Sequence, residues 1–99
     1  MAQAIRVNVT AVNAGEVLDV TVRENTDTYG MTRDMVMTAI VHGTKCNAED
    51  YREFIIDAVY RARMDGKYTI TIDGDDGSEY NVSIVTGTEN YLSGFNLVA

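Results

Sequence analysis

The residues best suited to nucleophilic chemistry are His42 and Cys46, the only histidine and the only cysteine in the chain. A histidine activates a thiol when the two side chains come within hydrogen-bond reach. At a spacing of four residues they would meet only on a continuous helix, and Gly43 is expected to end the helix between them. We therefore interpret His42 as a helix-end residue and Cys46 as a small apolar side chain.

A second group, of four carboxylates, lies in residues 73–79, where oxygen ligands would suit a hard cation such as Ca²⁺. The segment reads Asp-Gly-Asp-Asp-Gly-Ser-Glu and places its acids at Asp73, Asp75, Asp76 and Glu79. A calcium-binding EF-hand loop has a different acid spacing and a glutamate at its twelfth position. We predict a solvated hairpin turn here, with no metal and no cofactor.

A third group lies on a predicted helix, where Glu49, Glu53 and Asp57 are spaced four residues apart and fall on one line of the surface. Like charges at this spacing destabilise a helix by about 0.2–0.5 kcal/mol per pair. A parallel line on the same helix is apolar: Ile56, Tyr60 and Met64. An acidic row beside apolar groups suits a basic, partly apolar partner surface. The alternative is a solvated helix face whose apolar line packs against a neighbouring helix.

The catalytic motifs that are recognisable from sequence are absent. The chain has no nucleophile elbow, phosphate-binding loop, dinucleotide fingerprint or zinc-ligand spacing. We therefore expect a protein that is not an enzyme. A site built only of carboxylates would leave no sequence signature, so an enzyme or a small-ligand-binding protein is the third hypothesis.

Charge is unevenly distributed along the 99 residues, which have a net charge of −7. Residues 1–46 carry a net −1 and residues 47–99 a net −6. An acidic surface repels nucleic acid and anionic membranes and favours basic partners. We expect no direct contact with nucleic acid or membrane. With one cysteine, no disulfide within the chain and no basic leader before an apolar run, we expect a cytoplasmic protein.

The elements that position these groups are predicted from periodicity, beginning with a hairpin. Ile5 to Ala11 and Leu18 to Arg23 alternate apolar and polar residues around a turn that contains Gly15. Met31–His42 is predicted to be a helix, capped by Thr32, ended by Gly43 and buried on several sides. A strand is the alternative reading of that segment.

The clearest element is a helix from Ala48 to about Asp65, with Asn47 as its N-cap and Gly66 after its C-terminus. Its predicted core stripe is Tyr51, Phe54, Ile55, Ala58, Val59 and Ala62. Tyr68–Ile72 and Tyr80–Ile84 predict a second hairpin, and Tyr91–Val98 a last strand.

These elements predict one α+β domain over residues 1–99, in the order ββααββ(β). Its small antiparallel sheet would contain the N-terminal hairpin and two or three C-terminal strands, with two helices packed on one face.

Two functions follow as expectations, of which the first is a protein–protein interaction module that inhibits a basic, nucleic-acid-binding enzyme. In general character the chain resembles the small acidic inhibitors that phages make against host defence nucleases, anti-CRISPR proteins among them, although no motif carries the likeness. The predicted contacts are Glu49, Glu53, Asp57 and Tyr60, then Asp73, Asp75, Asp76 and Glu79. The alternative is an assembly protein, either a homo-oligomer or a small virion component. Whether the helix and the turn form one acidic patch is left open.

Overall fold

The computed structural model describes residues 3–24, 27, 29–88, 92 and 96–98. Within these residues, five strands and two helices follow in order: β1 (Gln3–Ala11), β2 (Gly15–Glu24), α1 (Tyr29–Thr44), α2 (Ala48–Asp65), β3 (Lys67–Asp73), β4 (Glu79–Thr88) and β5 (Asn96–Val98). The predicted α+β fold and the order ββααββ are confirmed.

The sheet has the strand order β3-β4-β1-β2-β5. The pairs β1–β2, β1–β4 and β3–β4 are antiparallel, as predicted, whereas β5 runs parallel to β2, with Asn96 opposite Val20. The strand predicted over Tyr91–Val98 lies partly outside the described residues, and its described part is β5. The β1–β2 hairpin turns before Gly15, whose positive φ of 89° suits glycine.

Both helices pack on one face of the sheet. The side chains of the sheet that face them are apolar and include Ile5, Val7, Val9, Val82 and Ile84, all of which are fully buried. The helices contribute a second layer of core residues: Val36 and Ile40 from α1, and Ile55, Ala58, Val59 and Ala62 from α2. This alternation of buried and accessible residues fixes the register, because a slip of one residue would invert every side chain of a strand.

Helix α1 differs from its prediction in extent and in the roles of two residues. It begins at Tyr29 and ends at Thr44, and the left-handed residue after it is Lys45, with a φ of 55°. Gly43 lies inside the helix, where an added Cβ would stand 3.3 Å from Cγ2 of Val9, so it allows close packing on the hairpin. Thr32 is buried and donates to the carbonyl of Arg23 instead of capping the helix.

The burial of α1 is also narrower than predicted. Its fully buried apolar residues are Val36 and Ile40, which lie on one face, while Met31 is 67% exposed. The many apolar residues of this helix therefore do not reflect burial on several sides. Methionines on its flanks are only partly covered by the core.

Candidate acidic interaction surface

Helix α2 positions the acidic row, and its ends form as predicted. The Asn47 side chain accepts a hydrogen bond from the backbone N–H of Asp50 at 3.1 Å. At the other end Gly66 adopts a φ of 87° and donates its N–H to the carbonyl of Ala62. Glu49 therefore stands in the first turn, beside the positive end of the helix dipole, where a carboxylate is favourable.

The three carboxylates of the row are exposed but differ in their partners. Asp57 accepts a hydrogen bond of 2.8 Å from Nε of Arg61, and this contact raises the pKa of the Arg61 guanidinium. Among the described residues, none donates to the carboxylates of Glu49 and Glu53. Within the described residues, the row therefore presents two carboxylates without an ion-pair partner, Glu49 and Glu53, and one that is paired with a cation.

The apolar line beside the row faces mainly solvent and not helix α1. Tyr60 is 61% exposed and Met64 is 67% exposed, while Ile56 is partly buried. The alternative in which this line packs against the neighbouring helix is therefore wrong for Tyr60 and Met64. Both line the rim of a cavity of about 440 Å³ at the C-terminal end of α2. Phe54, predicted to belong to the core stripe, is also exposed.

The four carboxylates of the β3–β4 turn are all exposed, but Asp76 also shapes the turn. Its Oδ1 accepts the backbone N–H of Ser78 at 2.9 Å and its Oδ2 accepts the hydroxyl of Tyr80 at 3.5 Å. The bond from Ser78 lowers the pKa of Asp76 below its ordinary value. Asp73 and Glu79 face each other across the two strands, which places like charges side by side.

The turn is docked against the connection between α1 and α2. Asp75 donates its backbone N–H to the carbonyl of Lys45 at 2.9 Å, and Asp73 donates its N–H to the hydroxyl of Tyr51 at 3.2 Å. Gly74 sits so close to the carbonyl of Thr44 that a Cβ there would collide with it. The turn carboxylates and the N-terminal end of the acidic row therefore lie at the same end of the domain.

His42 and Cys46, the pair considered for thiol chemistry, lie in different environments. Cys46 is buried, whereas His42 is exposed on the outer side of α1. Within the described residues, no three or more His, Cys, Asp or Glu side chains lie together in a way that could hold a metal ion.

Two surface features were not predicted from the sequence. One is the cavity of about 440 Å³, in which Arg63 pairs with the buried carboxylate of Glu24 and lies 4.8 Å from the ring centre of Tyr29. These partners are far apart in the chain, so no local pattern marks them. The other is a shallow, mostly apolar depression of about 560 Å³ on α1, lined by Asp34, Met35, Thr38, Ala39 and His42.

Comparison with known proteins gives no relative: no family model, curated protein or solved structure matches the chain. Neither helix in the described part of the chain has the length and apolar character to cross a membrane.

Proposed function

We propose that this domain is an acidic interaction module that binds a basic, nucleic-acid-binding surface of another protein and blocks it. The observation that supports this most is the docking of the turn onto the α1–α2 connection through Asp75 and Lys45. It brings carboxylates from two separate elements to one end of the domain. Charges gathered on a fixed scaffold give a partner a larger complementary surface than either element alone.

The geometry of the row fits partial mimicry of a nucleic-acid backbone. Carboxylates at every fourth helical position repeat about every 6 Å along the axis. One DNA strand carries a charge about every 3.4 Å. The row is therefore a sparse copy of such a strand, and exposed Tyr60 adds an aromatic contact beside it. Aromatic residues are enriched at protein interfaces relative to the rest of the surface.

Within this class, the proposal is an inhibitor of the kind that phages direct against host defence enzymes. This proposal is supported by the net charge of −7 and by the two acidic elements together. The partner is proposed to be a basic, nucleic-acid-binding protein. Glu49, Glu53, Asp57 and Tyr60 are its proposed contacts on α2, and Asp73, Asp75, Asp76 and Glu79 those on the turn.

The test starts with affinity capture from the source cell's lysate, with washes at low and at raised salt, and continues with the purified partner. Replacing Glu49, Glu53 and Asp57 together by lysine is expected to abolish binding while the circular dichroism spectrum stays unchanged. Wild-type binding should weaken as salt increases, because exposed charges are screened. Unchanged binding by the triple variant would disprove the proposal.

A matched control separates the position of the charges from their number. The pair Glu49→Lys and Glu53→Lys changes the net charge from −7 to −3, and so does the pair Glu16→Lys and Asp34→Lys. Glu16 and Asp34 are also exposed but lie on β2 and α1. The first pair is expected to weaken partner binding strongly and the second only slightly. Equal losses would mean that net charge alone governs association.

The second candidate function, an assembly protein, is favoured by the position of β3 at the edge of the sheet. An edge strand offers unpaired backbone groups to another chain. In this case the protein is expected to form a defined oligomer at high concentration in sizing with light scattering. A monomer under those conditions would rule this candidate out.

A further inference from the structure

Strand β3 is bonded to another strand along only one of its edges. In the described sheet it pairs with β4, and no strand lies on its other side. Helix α2 packs on its inner face, but its outer edge runs along the side of the domain. The direction of each backbone group along β3 therefore decides what this edge offers.

Two hydrogen bonds fix those directions. Gly74 donates its N–H to the carbonyl of Ser78, and Thr86 donates to the carbonyl of Gly66. In an antiparallel pair, residues that exchange backbone hydrogen bonds alternate with residues whose backbone N–H and C=O groups point away from the partner strand. Even-numbered residues of β3 therefore bond to β4, and the backbone groups of Lys67, Thr69, Thr71 and Asp73 point outward.

An independent bond supports this assignment. Val12 donates its N–H to the carbonyl of Glu79, so the odd-numbered residues of β4 bond toward β1. The even-numbered residues of β4 are then those that bond to β3, in agreement with the bonds at Ser78 and Thr86.

The outer edge is closed at its C-terminal end. The outward N–H of Asp73 is taken by the Tyr51 hydroxyl, and that of Asp75 by the carbonyl of Lys45. Within the described part of the chain, no group occupies the outward N–H and C=O groups of Lys67, Thr69 and Thr71. The open edge thus has a defined length and a defined end.

The side of α2 next to this edge combines aromatic and acidic groups. The Arg61 guanidinium lies 5.6 Å from the ring centre of Tyr68 on β3, and Asp57 bonds to Arg61. Phe54, which is exposed, meets the ring of Tyr51 at 6.2 Å, and Tyr51 reaches the edge at Asp73. Asp57 is therefore both a member of the acidic row and a neighbour of the β3 edge.

We propose that the outer edge of β3, from Lys67 to Thr71, takes up an extended, basic segment of the partner protein as an added strand. The inference rests on the proposed function, for which it names the kind of segment that is bound. Main-chain hydrogen bonds supply the affinity in this mode, and alternate side chains supply the specificity. Lysine or arginine side chains on the inner side of the added strand would face Asp57 and the exposed ring of Phe54.

Charge favours a basic segment over a second copy of this chain. Four carboxylates lie along the edge and its closed end, at Asp57, Asp65, Asp73 and Asp75, against three cations, at Arg61, Lys67 and Lys45. A second copy would bring the same excess of negative charge to the contact, and like charges across an interface are unfavourable. A segment with alternating basic residues offsets that excess.

The test uses a short peptide, blocked at both ends, in which valine and lysine alternate, and follows amide hydrogen exchange by nuclear magnetic resonance. In the unbound protein, the N–H groups of Tyr68, Ile70 and Ile72 are expected to be protected and those of Lys67, Thr69 and Thr71 to exchange rapidly. Adding the peptide should protect the second set and leave the first set unchanged. A peptide in which valine and glutamate alternate should produce no protection.

Thr69→Pro tests the edge without disturbing the sheet, because the proline removes an N–H that points outward and proline is tolerated on edge strands. Peptide affinity is expected to fall about tenfold or more, because one hydrogen bond to the added strand is lost and the proline ring obstructs its approach. The matched control is Thr69→Val, which keeps the N–H and is expected to bind like the wild type. The circular dichroism spectrum establishes that both variants remain folded.

Three outcomes overturn the inference: equal peptide binding by Thr69→Pro and wild type, protection without the odd–even alternation, or a homodimer that Thr69→Pro dissociates. The last result would identify a second copy as the occupant. If Thr69→Pro binds the partner normally and the α2 triple variant does not, the edge inference fails and the proposed function stands. If neither variant loses partner binding, the proposed function fails.

Discussion

Arg63 donates two hydrogen bonds to the carboxylate of Glu24, from Nε at 3.4 Å and from Nη2 at 2.7 Å. The Glu24 side chain is only 5% exposed, so Arg63 takes the place of water as the partner of its carboxylate oxygens. Arg63 also donates to the carbonyl of Tyr29 and lies over its ring. One guanidinium therefore joins the end of β2, the start of α1 and the last turn of α2.

We predict that Arg63→Ala destabilises the domain by about 3 kcal/mol, because it leaves a buried carboxylate without a partner. Urea unfolding followed by circular dichroism measures the change. The double variant Arg63→Met with Glu24→Met is expected to recover most of the loss, since apolar groups of similar volume replace the pair. A loss below about 1 kcal/mol for Arg63→Ala would show that water reaches Glu24 and compensates it.

Gly74→Ala is predicted to destabilise the domain by about 2 kcal/mol, because the new Cβ would collide with the carbonyl of Thr44 and displace the turn. The amide signal of Asp75 and the carbonyl signal of Lys45 should shift together, since the hydrogen bond between these two groups crosses the same contact. Gly30→Ala is the control. Its added Cβ meets nothing within 4 Å, so stability should stay constant or increase slightly. Equal behaviour of the two variants would contradict close docking of the turn.

The pH dependence of stability should contain a contribution from Asp76. Its folded pKa is lowered, chiefly by the backbone hydrogen bond from Ser78, so its stabilisation is present above the ordinary aspartate value of about 3.9 and is lost as pH falls through the folded value. A carbon-detected titration of the carboxyl should give a midpoint below that ordinary value. Asp76→Asn should flatten the stability profile below about pH 4. An unchanged profile would exclude this contribution.

Lys45→Gly is predicted to stabilise the domain by about 1 kcal/mol, because Lys45 holds a φ of 55°, which is strained for a residue with a Cβ. Thermal and urea unfolding both measure the gain. Gly66→Ala is the opposite case, because Gly66 has a φ of 87° after α2. This substitution should lower the stability of the domain by about 1 kcal/mol. If Lys45→Gly were less stable than the wild type, the lysine side chain would contribute more stability than the strain of its backbone removes.

Sequence periodicity predicts most of the fold because the strands and α2 have one buried face each. The alternation at Ile5, Val7 and Val9 and the caps at Asn47 and Gly66 are local signals that tertiary packing leaves intact. The prediction for helix α1 was less accurate, because a glycine can either end a helix or allow close contact with a neighbouring element. Gly43 allows close contact, and only its approach to Val9 in the structure distinguishes these two roles.

The arrangement of the acidic groups depends on contacts that the sequence does not encode locally. The exposure of Glu49, Glu53 and Asp57 follows from helical spacing, and the structure agrees. The docking of the turn joins Asp75 to Lys45 through backbone atoms, which leave no residue-type signal. The open edge of β3 likewise depends on strand order, and strand order is set by long-range pairing.

The hydrogen bonds at Asp73 and Asp75 also bear on the kinetics of association. They join the turn to the helical layer before any partner arrives, so binding needs no slow ordering step between the two acidic elements. Complexes of preformed surfaces that are charged oppositely associate rapidly, and their association rate constant falls as ionic strength rises. For this domain, ionic strength should therefore act mainly on the rate of encounter, whereas contacts such as Tyr60 should govern the lifetime of the complex.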